Sequence, residues 1–138
     1  MSKVYLNITT PTGIFYVGKV DIVTLKTAEG YIGLQSHRSP FFSNVEIGNL
    51  IIGHENDKDS IKCIIGGGLV YADSTKINII TDDIINVNDI DLSRAEADRD
   101  KYIKQIEESK QKDMSTAKLE LKLKKALGRI DAYNTYHK

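Results

Sequence analysis

The side chains able to do chemistry are few and scattered. His37, His54 and His137 lie far apart in the 138 residues, without the spacing of a metal-ligand set. Cys63 is the one cysteine, so no internal disulfide is expected. It alternates with Ile61 and Ile65 on one strand face, where a buried and inert thiol is the expectation. Asp82 and Asp83 are adjacent carboxylates, but neighbours on a strand point to opposite faces, which makes a poor acid/base dyad. No Gly-x-Ser-x-Gly elbow and no dinucleotide fingerprint occurs. Gly66-Gly67-Gly68 is followed by Leu69-Val70-Tyr71 where a phosphate loop needs Lys-Ser/Thr and a helix. A turn or bulge at which backbones approach closely is expected there. Together these features point away from an enzyme and away from a bound metal or catalytic cofactor.

Two groups of charged residues remain. Asp91 and Arg94 open a helical stretch. The carboxylate of Asp91 can accept free backbone N–H groups of the first turn, and an i,i+3 ion pair with Arg94 adds a few tenths of a kcal/mol. Ser93 with Glu96 is a second capping candidate. Further on, Lys118, Lys122, Lys124, Lys125 and Arg129 make a basic helix. The net charge of zero conceals a gradient: residues 1–90 carry 7 basic and 10 acidic side chains, residues 91–113 carry 6 and 7, and residues 114–138 carry 6 and 2. A solvated face and a tail that meets an acidic partner both fit this pattern. Nucleic acid is not the expected partner, because no aromatic platform or recognised motif accompanies the lysines.

The elements that must position these groups fall into two sets. Val4, Leu6 and Ile8 alternate with polar residues as a half-buried strand. Pro11-Thr12-Gly13 turns the chain, and Ile14–Leu25 again reads as strand. Tyr31–Leu34 follows, then a polar loop from Gln35 to Pro40. Phe41–Ile47 and Leu50–His54 are strand candidates split by Gly48-Asn49. Glu55–Ser60 is a charged hairpin loop. Ile61–Ile65 and Leu69–Ala72 are interrupted by the glycines, and Thr75–Thr81 closes the series. Short strands at intervals of about ten residues signal a β-sandwich or barrel. After Asp91 the period changes. Leu92, Ala95, Tyr102 and Ile106 form a helical stripe that also carries Arg99. Ser109–Asp113 has no apolar residue, and a second helix begins near Ser115. Its main stripe is Leu119, Leu123, Ala126/Leu127, Ile130 and Tyr133, with a smaller one through Met114, Ala117, Leu121, Gly128 and Ala132. The fold class is α+β: a β-sandwich over 1–88, then an antiparallel two-helix hairpin over 89–138. The break between the helices contains neither Gly nor Pro, so a hairpin and one continuous helix of about 65 Å are both accessible, and such an element can act as a switch. No apolar run approaches the roughly 20 residues of a membrane span. The N-terminus alternates rather than forming a signal-peptide block, so a soluble protein that stays where it was made is expected.

The order and spacing of several short motifs make the chain similar to the epsilon subunit of the F-type ATP synthase (the mitochondrial delta counterpart). They are Pro11-Thr12-Gly13, Tyr16–Val20, Glu29–Leu34, His37–Pro40, Gly66–Val70 before Ile77–Ile80, Ile90–Ala95, and Lys124–Ile130. The resemblance implies a non-catalytic rotor subunit. Its sandwich would lie against the gamma subunit and the c-ring, with Tyr31, His37, Arg38 and Pro40 in a ring-contact loop. Its helices would reach the catalytic alpha and beta subunits and inhibit ATP hydrolysis through Lys118, Lys122, Lys124, Lys125 and Arg129. It also implies ATP as a regulatory ligand, held by Ile90, Asp91, Arg94 and Ala95 with Lys125 and Arg129. The place implied is peripheral, on the cytoplasmic face of a bacterial cell membrane. The chain departs from the family pattern at Ile85, where nucleotide-binding members carry glutamate, and at Lys101, where they carry arginine, with Arg99 nearby. It also has Arg38-Ser39-Pro40 where His-x-Pro is usual, with His37 one position early. The alternative is a free-standing β-sandwich adaptor whose helical tail binds an unrelated partner.

Overall fold

A computed structural model of the chain describes residues 2–137. They form two compact units that divide between Asn86 and Val87.

The first unit holds eight strands: β1 (Val4–Thr10), β2 (Gly13–Val20), β3 (Val23–Thr27), β4 (Gly30–Leu34), β5 (Phe41–Ile52), β6 (Ile61–Ala72), β7 (Lys76–Ile80) and β8 (Ile84–Asn86). Their hydrogen-bonded order is β2-β1-β7-β6-β5-β3-β4, with β8 also on β6. The length of β5 and β6, 12 residues each, lets one hairpin serve two layers. Leu69–Ala72 of β6 pairs with β7, whereas Cys63–Ile65 pairs with β8. Ile51 and Ile52, at the far end of β5, pair with β3. One layer is therefore β2, β1, β7 and the adjoining halves of β6 and β5; the other is β8, the remaining halves of β6 and β5, β3 and β4. The layers close on Val4, Leu6, Ile8, Val23, Leu25, Leu34, Leu50, Cys63, Ile65, Val70, Ile77 and Ile79, all fully buried. The alternation of β1 and the buried thiol of Cys63 are as expected.

Three strand boundaries differ from the sequence reading. Ile14–Leu25 is not one strand: the chain passes between layers at Asp21-Ile22, because β2 pairs with β1 while β3 pairs with β4 and β5. Gly48-Asn49 does not split β5; both residues sit in register with Ile65 and Ile64 of β6. Gly66–Gly68 does not interrupt β6 either. Gly67 takes φ 101°, a backbone state that favours glycine, and turns the strand from one layer to the other without ending it. A Cβ on Gly68 would collide with the carbonyl oxygen of Ile80. The Gly66 N–H donates to the Asp83 carbonyl at 2.7 Å. Buried Thr81 ties the crossing together: its hydroxyl donates to the Gly67 carbonyl at 2.5 Å and accepts the Asp83 N–H at 3.1 Å.

The second unit begins with a 3-10 turn, Val87–Asp89, followed by α1 (Leu92–Gln111) and α2 (Ala117–Tyr136), which pack on one another. Asp91 is the N-cap of α1, with Oδ1 accepting the Arg94 N–H at 3.1 Å. Ser93 lies inside the helix, so the Ser93–Glu96 capping alternative is not used. The stop of α1 has Schellman geometry. Met114 N–H donates to Ser109 O at 2.8 Å and Asp113 N–H to Lys110 O at 3.1 Å. The left-handed position of this motif, usually glycine, is Asp113 at φ 56°. The apolar contact that commonly accompanies the motif is missing, since its two positions are Ser109 and Met114, and Met114 is 61% exposed.

Replacing Gly68 with alanine should destabilise the protein by about 1–3 kcal/mol or prevent folding, since the obstacle is backbone that cannot swing aside. Gly18→Ala, which meets only the Tyr16 side chain at 3.4 Å or beyond, should shift the midpoint far less. Denaturant unfolding of the two variants checks this, and equal midpoints would contradict it.

Candidate functional site

In the helical unit, the candidate residues sit at two levels. Asp91 precedes α1, and Arg94 and Ala95 occupy its first turn. The Asp91–Arg94 contact is the backbone cap; the Arg94 guanidinium is exposed and forms no ion pair among the described residues. Ile90 and Ala95 are buried, at 8% and 4% exposure. The pairing level of the helices is fixed by Tyr102, whose ring lies 5.7 Å from Lys101 Nζ on its own helix and 6.0 Å from Lys122 Nζ on α2. Counting from there at 1.5 Å per residue in antiparallel sense, Lys125 lies roughly level with Arg99, and Arg129 with Ala95. Lys125 and Arg129 are half-buried, whereas Lys118, Lys122 and Lys124 are exposed. Arg99, the charge on the apolar stripe, pairs with its neighbour Asp100 at 3.0 Å. Of these residues, Arg129 lies roughly level with the capped end of α1, where Arg94 stands, and Lys125 about one turn away along the hairpin.

In the sandwich, the structure separates the residues assigned to one loop. Tyr31 is not in that loop. It stands at the start of β4, beside the Thr27–Gly30 turn, opposite Lys26. The segment Gln35–Pro40 leaves from the other end of β4, roughly 13 Å along the strand. The two sites are therefore distinct, because a paired strand holds them apart. His37 adopts φ 63°; its N–H donates to the Ser74 carbonyl at 2.9 Å, and its Nε2 lies 3.0 Å from Ser2 Oγ. With Ser2, Asp21, Gln35, Ser36 and His54 it lines a cavity of about 240 Å³. The Ser74 turn is itself fixed by Asp73, whose Oδ1 accepts the N–H groups of Thr75 and Lys76. These bonds, Thr75 first and then Lys76, hold the Asp73 carboxyl below its ordinary pKa. Arg38 stacks over Phe41 at 4.8 Å, and Pro40 is exposed. Among the described residues no group of three or more His, Cys, Asp and Glu could hold a metal ion.

Sequence reasoning missed one feature, a face of exposed apolar side chains on the first layer. The cross-strand register aligns Val17, Asn7, Asn78, Tyr71 and Phe42 in one row, and Ile14, Thr9, Ile80, Leu69 and Asn44 in the next. Phe42 is 68% exposed, Ile14 64% and Ile80 60%. Asn7 Oδ1 is buried in this face without a hydrogen-bond partner among the described residues. The outward alternation of Phe42, Leu69 and Tyr71 was the available signal.

A β-sandwich followed by a capped helical hairpin, with exposed charged and apolar surfaces, is the architecture of an interaction subunit. Residues 3–87 match the family described as ATP synthase, Delta/Epsilon chain, beta-sandwich domain. The chain is 43% identical over 138 residues, all of both chains, to the ATP synthase epsilon chain of Mycoplasmopsis synoviae. It is 44% identical over 128 residues to that of Mycoplasmopsis pulmonis, covering 93% of this chain and 91% of the relative. A solved chain from the mitochondrial ATP synthase of Euglena gracilis shares the fold, with TM-score 0.69 at 21% identity over 96% of this chain and 82% of that one. The chain belongs to the family of ATP synthase epsilon chains, non-catalytic subunits of that complex. No described helix is long and apolar enough to cross a membrane.

Asp91→Ala should lower the stability of the helical unit by about 0.5–2 kcal/mol, because it strips the cap from α1. Loss of helical circular dichroism at a lower temperature, with the sandwich amides unshifted in NMR, is the expected reading.

Proposed function

We propose that this chain couples rotation in a proton-driven F-type ATP synthase as a central-stalk subunit, and that its helices restrain ATP hydrolysis. The sandwich meets the gamma subunit and the c-ring, at the cytoplasmic face of a bacterial membrane. The observation that carries this reading is the apolar face on the sandwich of a chain whose family is that of epsilon chains. Against full side-chain surfaces of roughly 150–250 Å², the exposures of Tyr5, Ile14, Val17, Phe42, Leu69, Tyr71 and Ile80 amount to on the order of 700 Å². That approaches the about 800 Å² that each partner contributes to a stable interface, and exceeds the few hundred Å² of apolar patch usual on a monomer. A donor from the partner would satisfy Asn7. Tyr31 and the His37–Pro40 loop supply two further contacts, with Tyr31 toward the ring.

The restraint resides in the hairpin. The exposed Lys118, Lys122 and Lys124 suit an acidic surface of the catalytic alpha and beta subunits. ATP is the regulatory ligand of the closed hairpin in this proposal, with Arg94, Lys125 and Arg129 on its phosphates. The stop at Asp113 favours opening: a left-handed aspartate is less favourable than glycine by on the order of 1 kcal/mol, a shift of about fivefold in a two-state equilibrium.

Removing residues 91–138 should leave a folded sandwich and raise ATP hydrolysis by the assembled enzyme; an unchanged rate would eliminate the restraint. Asp113→Gly should raise hydrolysis in the same assay by strengthening the closed hairpin. Isothermal titration of the chain with ATP should give saturable binding that Arg94→Ala abolishes. No heat up to millimolar ATP would leave Asp91 as a cap alone and remove the nucleotide from the proposal.

A further inference from the structure

Tyr31 does not project freely from β4. Its side chain crosses the outer face of the sheet, over β3, to β5. The ring passes Lys26, whose Nζ lies 6.0 Å from its centroid. The hydroxyl ends above Gly48, where an added Cβ would stand 2.9 Å away, and accepts the Asn49 N–H at 3.1 Å. Gly48 has no φ that requires glycine, and it lies in regular pairing with Ile65. The absence of a side chain at this position has its local reason chiefly in the space that the Tyr31 hydroxyl fills, with Lys26 Cδ and Cβ next at 3.3 and 3.4 Å. The ring is nonetheless 51% exposed. A long aromatic side chain that is half in solvent ordinarily samples several rotamers; this one is pinned at its root by the strand and at its tip by a notch.

We propose that Gly48 and Asn49 form a seat that presents Tyr31 as a pre-oriented contact residue, and that Gly48 is a positioning residue for the contact of this sheet with the rotor ring. This inference rests on the reading above, in which Tyr31 meets the ring. A fixed aromatic loses little rotamer entropy on association, which is why rigid Tyr rings serve as anchors. The seat also explains why alanine should be tolerated by the fold and not by the contact. The atom that a Cβ at position 48 meets below 3.0 Å is the far end of the Tyr31 side chain, which can swing outward, while Lys26 at 3.3–3.4 Å needs to give little, so the strand survives while the ring loses its orientation.

The experiment measures binding of the full-length chain to ATP synthase depleted of this subunit. Tyr31→Ala should weaken binding about tenfold or more. Gly48→Ala should come within about threefold of that loss, and the double variant should be no weaker than Tyr31→Ala alone, since both act on one contact. Tyr31→Phe, which keeps the ring and loses the bond to Asn49, should fall between. In the free chain, NMR should show the Tyr31 ring contact to the Gly48 Hα protons replaced by averaged ring signals in Gly48→Ala, with the melting temperature unchanged. Full affinity of Gly48→Ala, or losses that add in the double variant, would overturn the seat while leaving Tyr31 as a contact. Full affinity of Tyr31→Ala would overturn the ring reading and the inference with it.

Discussion

The strand β6 belongs to two layers at once, and this is possible only because its backbone at Gly66–Gly68 lies against the turn from Ile80 to Asp83. A side chain at position 68 would force β7 off the sheet by its carbonyl at Ile80. A rigid φ at position 67 would straighten the crossing. With glycine in all three places the two layers share one hairpin, and the core closes between its halves. Thr81 is the polar counterpart. A hydroxyl sealed from water needs partners, and it finds them in the Gly67 carbonyl and the Asp83 N–H at the crossing. The outer surfaces depend on the same crossing. It aligns Leu69 and Tyr71 of β6 with Ile80, Asn78 and Phe42, so the apolar face follows from the fold's own constraint.

Much of this was legible in the sequence because local patterns and tertiary needs agreed. The period of two in Val4, Leu6 and Ile8, the charged Glu55–Ser60 loop and the cap at Asp91 each have a reason within a few residues. What was not legible depended on distant neighbours. Glycine within a run of apolar residues reads as an interruption; at Gly66–Gly68 the expected close approach is present but the strand runs on through it, and at Gly48 the glycine marks an approach by side chains from elsewhere in the chain. A switch of layer at Asp21-Ile22 leaves no compositional trace, because strands in both layers obey the same alternation. Tyr31–Leu34 already read as a strand; it was the resemblance that grouped Tyr31 with the Gln35–Pro40 loop, and the extended β4 carries the two apart.

The two ends of α1 illustrate how unequal local signals shape the hairpin. Its start has a carboxylate acceptor in place, an extended N-cap and a preceding 3-10 turn. Its stop has the backbone hydrogen bonds of a strong cap without the glycine or the apolar clasp that usually accompany them. Lys110, Gln111 and Lys112 are sound helix formers. Glu108 and Lys112 stand four apart in the favourable direction for a helical pair. The sequence around the stop therefore supports continuation of the helix nearly as well as reversal. A hairpin built this way starts firmly and ends weakly, so the packing of α1 on α2 does more to hold the reversal than the residues of the turn, Lys112–Thr116.

Rigidity is distributed in the opposite manner on the sandwich. Tyr31 is held by a strand at one end and by Gly48-Asn49 at the other. His37 is held in a left-handed state by Ser74, and Ser74 by the Asp73 turn, whose carboxylate is engaged by two backbone donors. None of these residues belongs to the core, yet each is fixed by contacts that its sequence neighbours could not supply. Surface residues constrained in this way cost conformational entropy that folding must offset elsewhere. The sandwich can bear that cost because its core is continuous across both layers. The helical unit buries only Ala95, Ile106, Ala126 and Ala132 within its two helices and retains a soft stop. Local constraint is thus concentrated on the surface of the sandwich, whereas the helical unit relies on a thin apolar seam and a weakly stopped helix.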